Sequence, residues 1–199
     1  MYRLVETIRS EDGRLNNLEF HNARMMRTLS ELFALNKNID LSRIITVPDY
    51  AGKGVFKCRV EYDYEIKKIE FIRYFPKSVR NLKIVEDNTI EYPYKFTDRR
   101  SIEKLLEKRS ECDDILIMKN GFITDTSYAN IILSDTSGLW YTPATCLLPG
   151  TRRALLLQQR KIIEVKINLK DLENFTDLKL INAMLGMEDT DGISVRNIL

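Results

Sequence analysis

Residues 124–153, TDTSYANIILSDTSGLWYTPATCLLPGTRR, constrain the fold more than any other stretch of the chain. Asp125 and Asn130 flank a turn that leads into a strand. After Trp140, Thr142 and Pro143, the run Leu-Pro-Gly-Thr-Arg-Arg stands directly before the helical pattern Ala154–Arg160. Gly150 can adopt backbone angles closed to other residues, and Thr151, Arg152 and Arg153 then open a helix whose first N–H groups have no internal partner. A phosphate satisfies such donors, aided by the helix dipole and two guanidinium groups, so the order of these residues suggests a bound phosphorylated ring. An ordinary N-cap produces the same Pro-Gly-Thr pattern, and the loop by itself leaves both accounts open.

Around this stretch the patterning alternates between strands and helices without internal repeats. Residues 2–9 alternate like a strand, Asp12-Gly13 is a turn signal, and Asn17 precedes a helical run through Phe20, Met25, Leu29, Leu32 and Phe33. Val55–Ile66, Lys68–Phe75 and Leu82–Glu86 are strand-like and are expected to form an antiparallel sheet against that helix. Residues 1–86 thus make an N-terminal α+β lobe, and 87–94, DNTIEYPY, make a linker. The second lobe, 95–199, begins at Lys95. Asp98 is placed as the N-cap of a helix Arg99–Lys108, followed by strands Asp114–Met118, Phe122–Asp125 and Asn130–Leu133, with an Asn120-Gly121 turn between the first two. After the helix that follows Gly150 come a strand Ile162–Ile167, a short helix Leu169–Asn174 and a last strand Leu178–Ala183.

Composition narrows the chemistry. The 31 basic and 29 acidic residues nearly cancel, so no global field recruits nucleic acid. Cys58, Cys112 and Cys146 are odd in number, widely spaced and lack a Cys-x-x-Cys pair, which points to buried thiols in a reducing cytoplasm and away from a disulfide framework or a metal site. No apolar run reaches the roughly 18–20 residues a membrane span requires, so no membrane partner is expected. His21 is the one histidine, no Gly-x-Ser-x-Gly elbow occurs, and neither a dinucleotide fingerprint nor a Walker loop is present. Lysine, carboxylate and phosphate chemistry remain.

The residues that carry these signals also resemble a known family. Asp125 to Arg153 resembles the signature of the class IV aminotransferases, the fold-type IV pyridoxal-phosphate enzymes that include branched-chain and D-amino-acid aminotransferases and aminodeoxychorismate lyase. Glu6-Thr7 is similar to the family's Phe-Glu-Thr element, and His21-Asn-Ala-Arg24-Met to its His-x-x-Arg-Leu. Lys95-Phe-Thr-Asp-Arg99 resembles the segment with the cofactor-bearing lysine, and Ile181-Asn182-Ala183-Met184 is similar to the Asn-Ala-Leu of the lyases.

The resemblance implies an α+β, two-lobed fold of the D-amino-acid aminotransferase type, in a minimal version, with pyridoxal 5'-phosphate as cofactor. It implies that Lys95 carries the cofactor and moves the substrate proton, that Arg24 holds the phosphate, and that Asp125 sits beside the pyridine nitrogen. Asn130 fixes the acid-bearing turn or bonds near the ring. Gly150, Thr151 and Arg152 line one phosphate-contacting loop, and Asn182 with Ala183 the other. Thr7 is similar to a pocket threonine that assists the departing group, whereas His21 is structural. A homodimer and a small amino-acid-like substrate are implied as well. Two departures stand out: Asp125 replaces the usual Glu and is one methylene shorter, and Thr151-Arg152 replace Ile-Thr or Val-Thr. Asn182-Ala183-Met184 and the compact size favour an aminodeoxychorismate lyase that yields 4-aminobenzoate for folate synthesis. The alternatives are an aminotransferase for branched-chain or D-amino acids and a non-catalytic binding protein on the same fold.

Overall fold

The computed structural model describes residues 2–199. Two compact units divide the chain, one made of Met1–Pro76 with Tyr94–Asp98 and the other of Lys77–Pro93 with Arg99–Leu199.

In the first unit, β1 (Leu4–Glu11) turns through Asp12 and Gly13 into β2 (Arg14–Leu15). Both turn residues have positive φ, 47° and 78°, the conformation that a tight hairpin requires and that glycine adopts without strain. The helix α1 (Leu18–Phe33) follows, buries Met25, Thr28 and Leu29, and closes in a left-handed Ala34 with Leu35 N–H donating back to the Leu29 carbonyl. The expected cap Asn17 is itself left-handed and makes no side-chain capping bond. After a single turn, α2 (Leu41–Ile44), come β3 (Val55–Tyr62) and β4 (Ile66–Arg73), giving an antiparallel sheet in the order β2-β1-β3-β4. Even-numbered residues of β1 and β3, including Leu4, Ile8, Cys58, Val60 and Tyr62, pack with Met25 and Leu29 in one core. The period of two thus aims one face at α1 and leaves Val5, Thr7, Arg59 and Glu61 on the other.

Residues 94–97 lie along β1. Val5 N–H donates to the Lys95 carbonyl (2.9 Å), Thr97 N–H donates to the Arg3 carbonyl (2.9 Å), and Leu4 bridges Phe96. This pairing draws Tyr94–Asp98 into the first unit and corrects the expectation that the second lobe starts at Lys95 behind a linker at 87–94.

The second unit contains β5 (Leu82–Glu86), α3 (Arg100–Leu106), β6 (Asp114–Lys119), β7 (Phe122–Thr126), β8 (Asn130–Asp135), β9 (Trp140–Pro143), α4 (Thr151–Gln158), β10 (Ile163–Val165), β11 (Phe175–Ile181) and β12 (Ile193–Ser194). Here β5 differs from expectation: it runs parallel to β6, with α3 as the crossover such a pairing needs, and belongs to this unit. Arg99, not Asp98, stands at the N-cap of α3, and no side chain caps it. A three-stranded sheet, β5-β6-β7, and a five-stranded sheet, β10-β9-β8-β11-β12, share a core of Leu116, Ile123, Ile131, Leu133, Leu178 and Leu180. The opposite face of β8 and β11 presents Ile132 and Ile181 to Leu156 of α4. Buried on both faces, β8 is apolar in three successive residues, Ile131 to Leu133. Among the described residues no helix is long and apolar enough to cross a membrane.

Leu29 is 1% exposed at the centre of the helix–sheet core. Leu29→Ala is expected to destabilise the first unit by about 2–5 kcal/mol through the cavity it leaves, checked by urea denaturation of the variant against the parent chain.

Candidate active site

In the first unit a polar cluster is buried among apolar neighbours. Glu6, at the middle of β1, is wholly buried, and α1 brings His21 and Arg24 to it because residues three apart share a helix face. Arg24 donates from Nε to Glu6 Oε1 (2.9 Å) and from Nη2 to Oε2 (2.5 Å), and His21 Nδ1 lies 2.5 Å from the same Oε2. Burial alone would raise the Glu6 pKa, but the Arg24 charge and the bonds from His21 and Arg24 outweigh it and hold the carboxyl at about 2. His21 is pushed below its ordinary range by burial and by the cations of Arg24 and Lys95, against the pull of Glu6. Glu6 stands in the sequence as the glutamate beside Thr7; its role as the hub of this cluster was not legible there, because the strand alternation alone reads position 6 as core.

The register of the 94–97 segment settles which face of the sheet Lys95 occupies. Lys95 stands opposite Val5 in an antiparallel pair, and opposite residues share a face. Thr7 is two residues along β1 on that face, the diagonal neighbour of Lys95, at a Cα separation of about 7–8 Å for such pairs.

In the second unit the acid is Asp125, near the end of β7 and 6% exposed. Oδ1 accepts from Asn130 Nδ2 (2.7 Å), and Oδ2 accepts from the backbone N–H groups of Leu147 (2.9 Å) and Leu148 (3.0 Å). Asn130, the first residue of β8, does more than hold the acid. Its Nδ2 also donates to the Leu148 carbonyl (2.8 Å), and its Oδ1 accepts from Gly150 N–H (3.1 Å).

That last bond corrects the expected reason for glycine at 150. The φ and ψ of Gly150 are −72° and 150°, open to any residue. What a side chain there cannot avoid is Asn130: a Cβ on residue 150 would lie far inside the van der Waals radius of Asn130 Oδ1. Gly150 then serves as the N-cap of α4, with Thr151 buried in its first turn.

The two adjacent arginines separate. Arg153 is 5% exposed and donates to the Pro143 carbonyl (2.9 Å) and to Glu164, bracing α4 against β9 and β10. Arg152 lies by the turn after β11, its Cζ 3.9 Å from where a Cβ on Gly186 would stand, with the carboxylates of Glu188 and Asp189 flanking the same glycine. The candidate loop at 150–152 and the 182–186 turn are therefore neighbours. Asn182 spends its side-chain oxygen within that turn, on Met184 N–H (2.8 Å) and Leu185 N–H (3.1 Å), and Ala183 is carried between them. Cys146, expected as a buried thiol, is half-buried and stands near the Asp125 carboxylate; burial first and that charge second push it up to about 11.

These residues fit pyridoxal phosphate on the chemistry of Asp125. Among the described residues the hydrogen-bond donors to this carboxylate are neutral, and burial, only partly offset by the bonds from Leu148, Asn130 and Leu147 and by the charge of Arg153, lifts it to about 6. A buried acid so poised gains most from a cationic N–H partner, which a protonated pyridine nitrogen provides.

The fold and this acid define a fold-type IV enzyme, and comparison with known proteins supplies the family. Residues 101–189 match the amino-transferase class IV family. An uncharacterized protein of Haemophilus influenzae is 39% identical over 189 residues, covering 94% of this chain and 100% of the relative. The crystal structure of a proposed 4-amino-4-deoxychorismate lyase from Haemophilus somnus 129pt superposes with a TM-score of 0.87 at 34% identity, covering 94% of this chain and 98% of that one. A hypothetical aminotransferase from Mycobacterium tuberculosis, solved in a PLP-bound form, shares the fold at 15% identity and a TM-score of 0.75, covering 99% and 81%. The chain belongs to the class IV aminotransferase family and is a pyridoxal-phosphate-dependent enzyme.

Gly150→Ala is expected to break the Gly150–Asn130 bond and release Asp125, lowering cofactor affinity at least tenfold, a loss of about 1.4 kcal/mol, measured by equilibrium dialysis against pyridoxal phosphate. The Asp125 carboxyl, raised from 3.8 to about 6, binds its proton more tightly in the folded protein. Stability of the cofactor-free chain should therefore fall as pH rises from 3.8 through about 6, and Asp125→Asn should flatten that limb of a denaturation series.

Proposed function

We propose that this chain is a lyase that eliminates pyruvate from aminodeoxychorismate and releases 4-aminobenzoate, the aromatic precursor used in folate synthesis. The observation that carries this reading is the register of β1: the lysine and the threonine stand as diagonal neighbours on one face of a sheet, as a proton acceptor and a hydroxyl donor for a single small substrate would need. Support also comes from the likeness to the proposed lyase of H. somnus and from Asn182-Ala183-Met184.

Pyridoxal phosphate, when bound, supplies a ring that accepts electrons from the substrate carbon bearing the amino group. The protein does the rest. Lys95 would hold the cofactor, and its Nζ, freed when the substrate amine takes its place, takes the proton from that carbon. Asp125, its charge stabilised by a cationic partner, keeps the ring nitrogen protonated, and Asn130 holds the acid in place. Arg24 holds the phosphate, with the N-terminal turn of α4 at Gly150, Thr151 and Arg152 and the Asn182-Ala183 turn as further contacts. Thr7 donates its hydroxyl hydrogen to the departing enolpyruvyl oxygen. We further propose that the enzyme is a cytoplasmic homodimer, in keeping with its free thiols Cys58, Cys112 and Cys146.

Incubation with aminodeoxychorismate in the absence of any 2-oxoacid should yield 4-aminobenzoate and pyruvate in equal amounts by chromatography. Turnover only when an amino acid and a 2-oxoacid are supplied together would replace the lyase by an aminotransferase for branched-chain or D-amino acids. Borohydride reduction of the cofactor-loaded chain should fix the adduct on Lys95, and Lys95→Ala should lose it; an adduct persisting at full stoichiometry moves the assignment elsewhere. Asp125→Asn should lower turnover by at least about a hundredfold, on the scale of losing one electrostatic contact to developing charge.

A further inference from the structure

The Glu6 carboxylate of β1 meets both Arg24 and His21 of α1. It meets Arg24 side-on, with Nε on one oxygen and Nη2 on the other, and it meets His21 at Nδ1. Both partners are themselves buried, His21 at 1% and Arg24 at 8% exposure. A bidentate fork of this kind fixes the plane of the guanidinium as well as its position, because both nitrogens of one edge are committed. A long, flexible cation that must hold an anion loses less on binding when its orientation is set beforehand.

We infer that Glu6 is a positioning residue for cofactor binding, fixing the Arg24 guanidinium in the orientation that receives the cofactor's phosphate. The inference rests on Arg24 as the phosphate-holding cation of a pyridoxal-phosphate enzyme. Glu6 does not itself touch the cofactor; it acts through Arg24. The sign of its effect separates this role from simple electrostatics. Glu6 neutralises Arg24, so charge alone makes its removal favour a phosphate dianion by leaving a buried cation uncompensated. Positioning makes the same removal weaken phosphate binding.

The test compares two probes on the full chain: pyridoxal 5'-phosphate, and pyridoxal, which keeps the ring and aldehyde and lacks the phosphate. Affinities are measured by equilibrium dialysis, with the fold checked by circular dichroism. Glu6→Gln should weaken pyridoxal phosphate by about tenfold or more and leave pyridoxal within about twofold of the parent chain. Glu6→Asp keeps the charge, retracts the carboxylate by one methylene and should show the same selective loss; it decides the matter alone if Glu6→Gln does not fold. Equal weakening of both probes reduces Glu6 to a structural support and overturns the inference, as does an unchanged or tighter affinity for pyridoxal phosphate. A parent chain that binds the two probes equally removes Arg24 as the phosphate cation, a failure visible before any variant is made.

Discussion

The second unit depends on one amide. Asn130 ties β7 to the loop that leads into α4: its Nδ2 holds the Asp125 carboxylate and the Leu148 carbonyl, and its Oδ1 holds the Gly150 N–H that begins α4. A side chain with two donors and a carbonyl acceptor can satisfy all of these at once, which an acid or a hydroxyl in its place could not. The acid, the loop that feeds it two backbone N–H groups and the helix N-terminus are consequently held as one piece. Gly150 is the counterpart of this arrangement, since the amide oxygen fills the space a side chain would need.

The first unit is organised around the opposite economy of charge. Asp125 is buried with neutral donors and is lifted to about 6, whereas Glu6 is buried with a guanidinium and an imidazole and is held at about 2. Two buried carboxylates thus differ in what they are ready to do. Glu6 is already neutralised and serves as an anchor, while Asp125 retains an unmet demand for a cation. His21, kept below its ordinary range between Arg24 and Lys95, belongs to the anchor.

Much of this was legible in the chain. The hairpin at Asp12-Gly13, the helix through Met25 and Leu29, the Asn120-Gly121 turn and the strand-to-helix order around Asp125 and Gly150 follow from local backbone preferences and from periods of two and 3.6, which act over a few residues. Four features escaped local reasoning. Leu82–Glu86 has the alternation of a strand but nothing in it names its partner, and it joins β6 across a helix. Lys95–Asp98 follows the polar, proline-containing stretch 87–94 and reads as the start of the second lobe, yet its backbone pairs with β1 more than eighty residues away in sequence. Arg153 looked equivalent to Arg152 until α4 turned it toward Glu164. The glutamate in Glu6-Thr7 carried no sign of Arg24 and His21 converging on it.

What the sequence determined by itself is the family and the local elements that bear Lys95, Asp125 and Asn130, because these depend on residue types and short spacings. What tertiary structure alone decided is which of those groups carry charge partners and which do not. It placed Glu6 against Arg24 and His21, surrounded Asp125 with neutral donors, and set Lys95 and Thr7 on one face through the register of β1. Burial and pairing fix a carboxylate's proton affinity, and both are properties of neighbours brought in from distant parts of the chain.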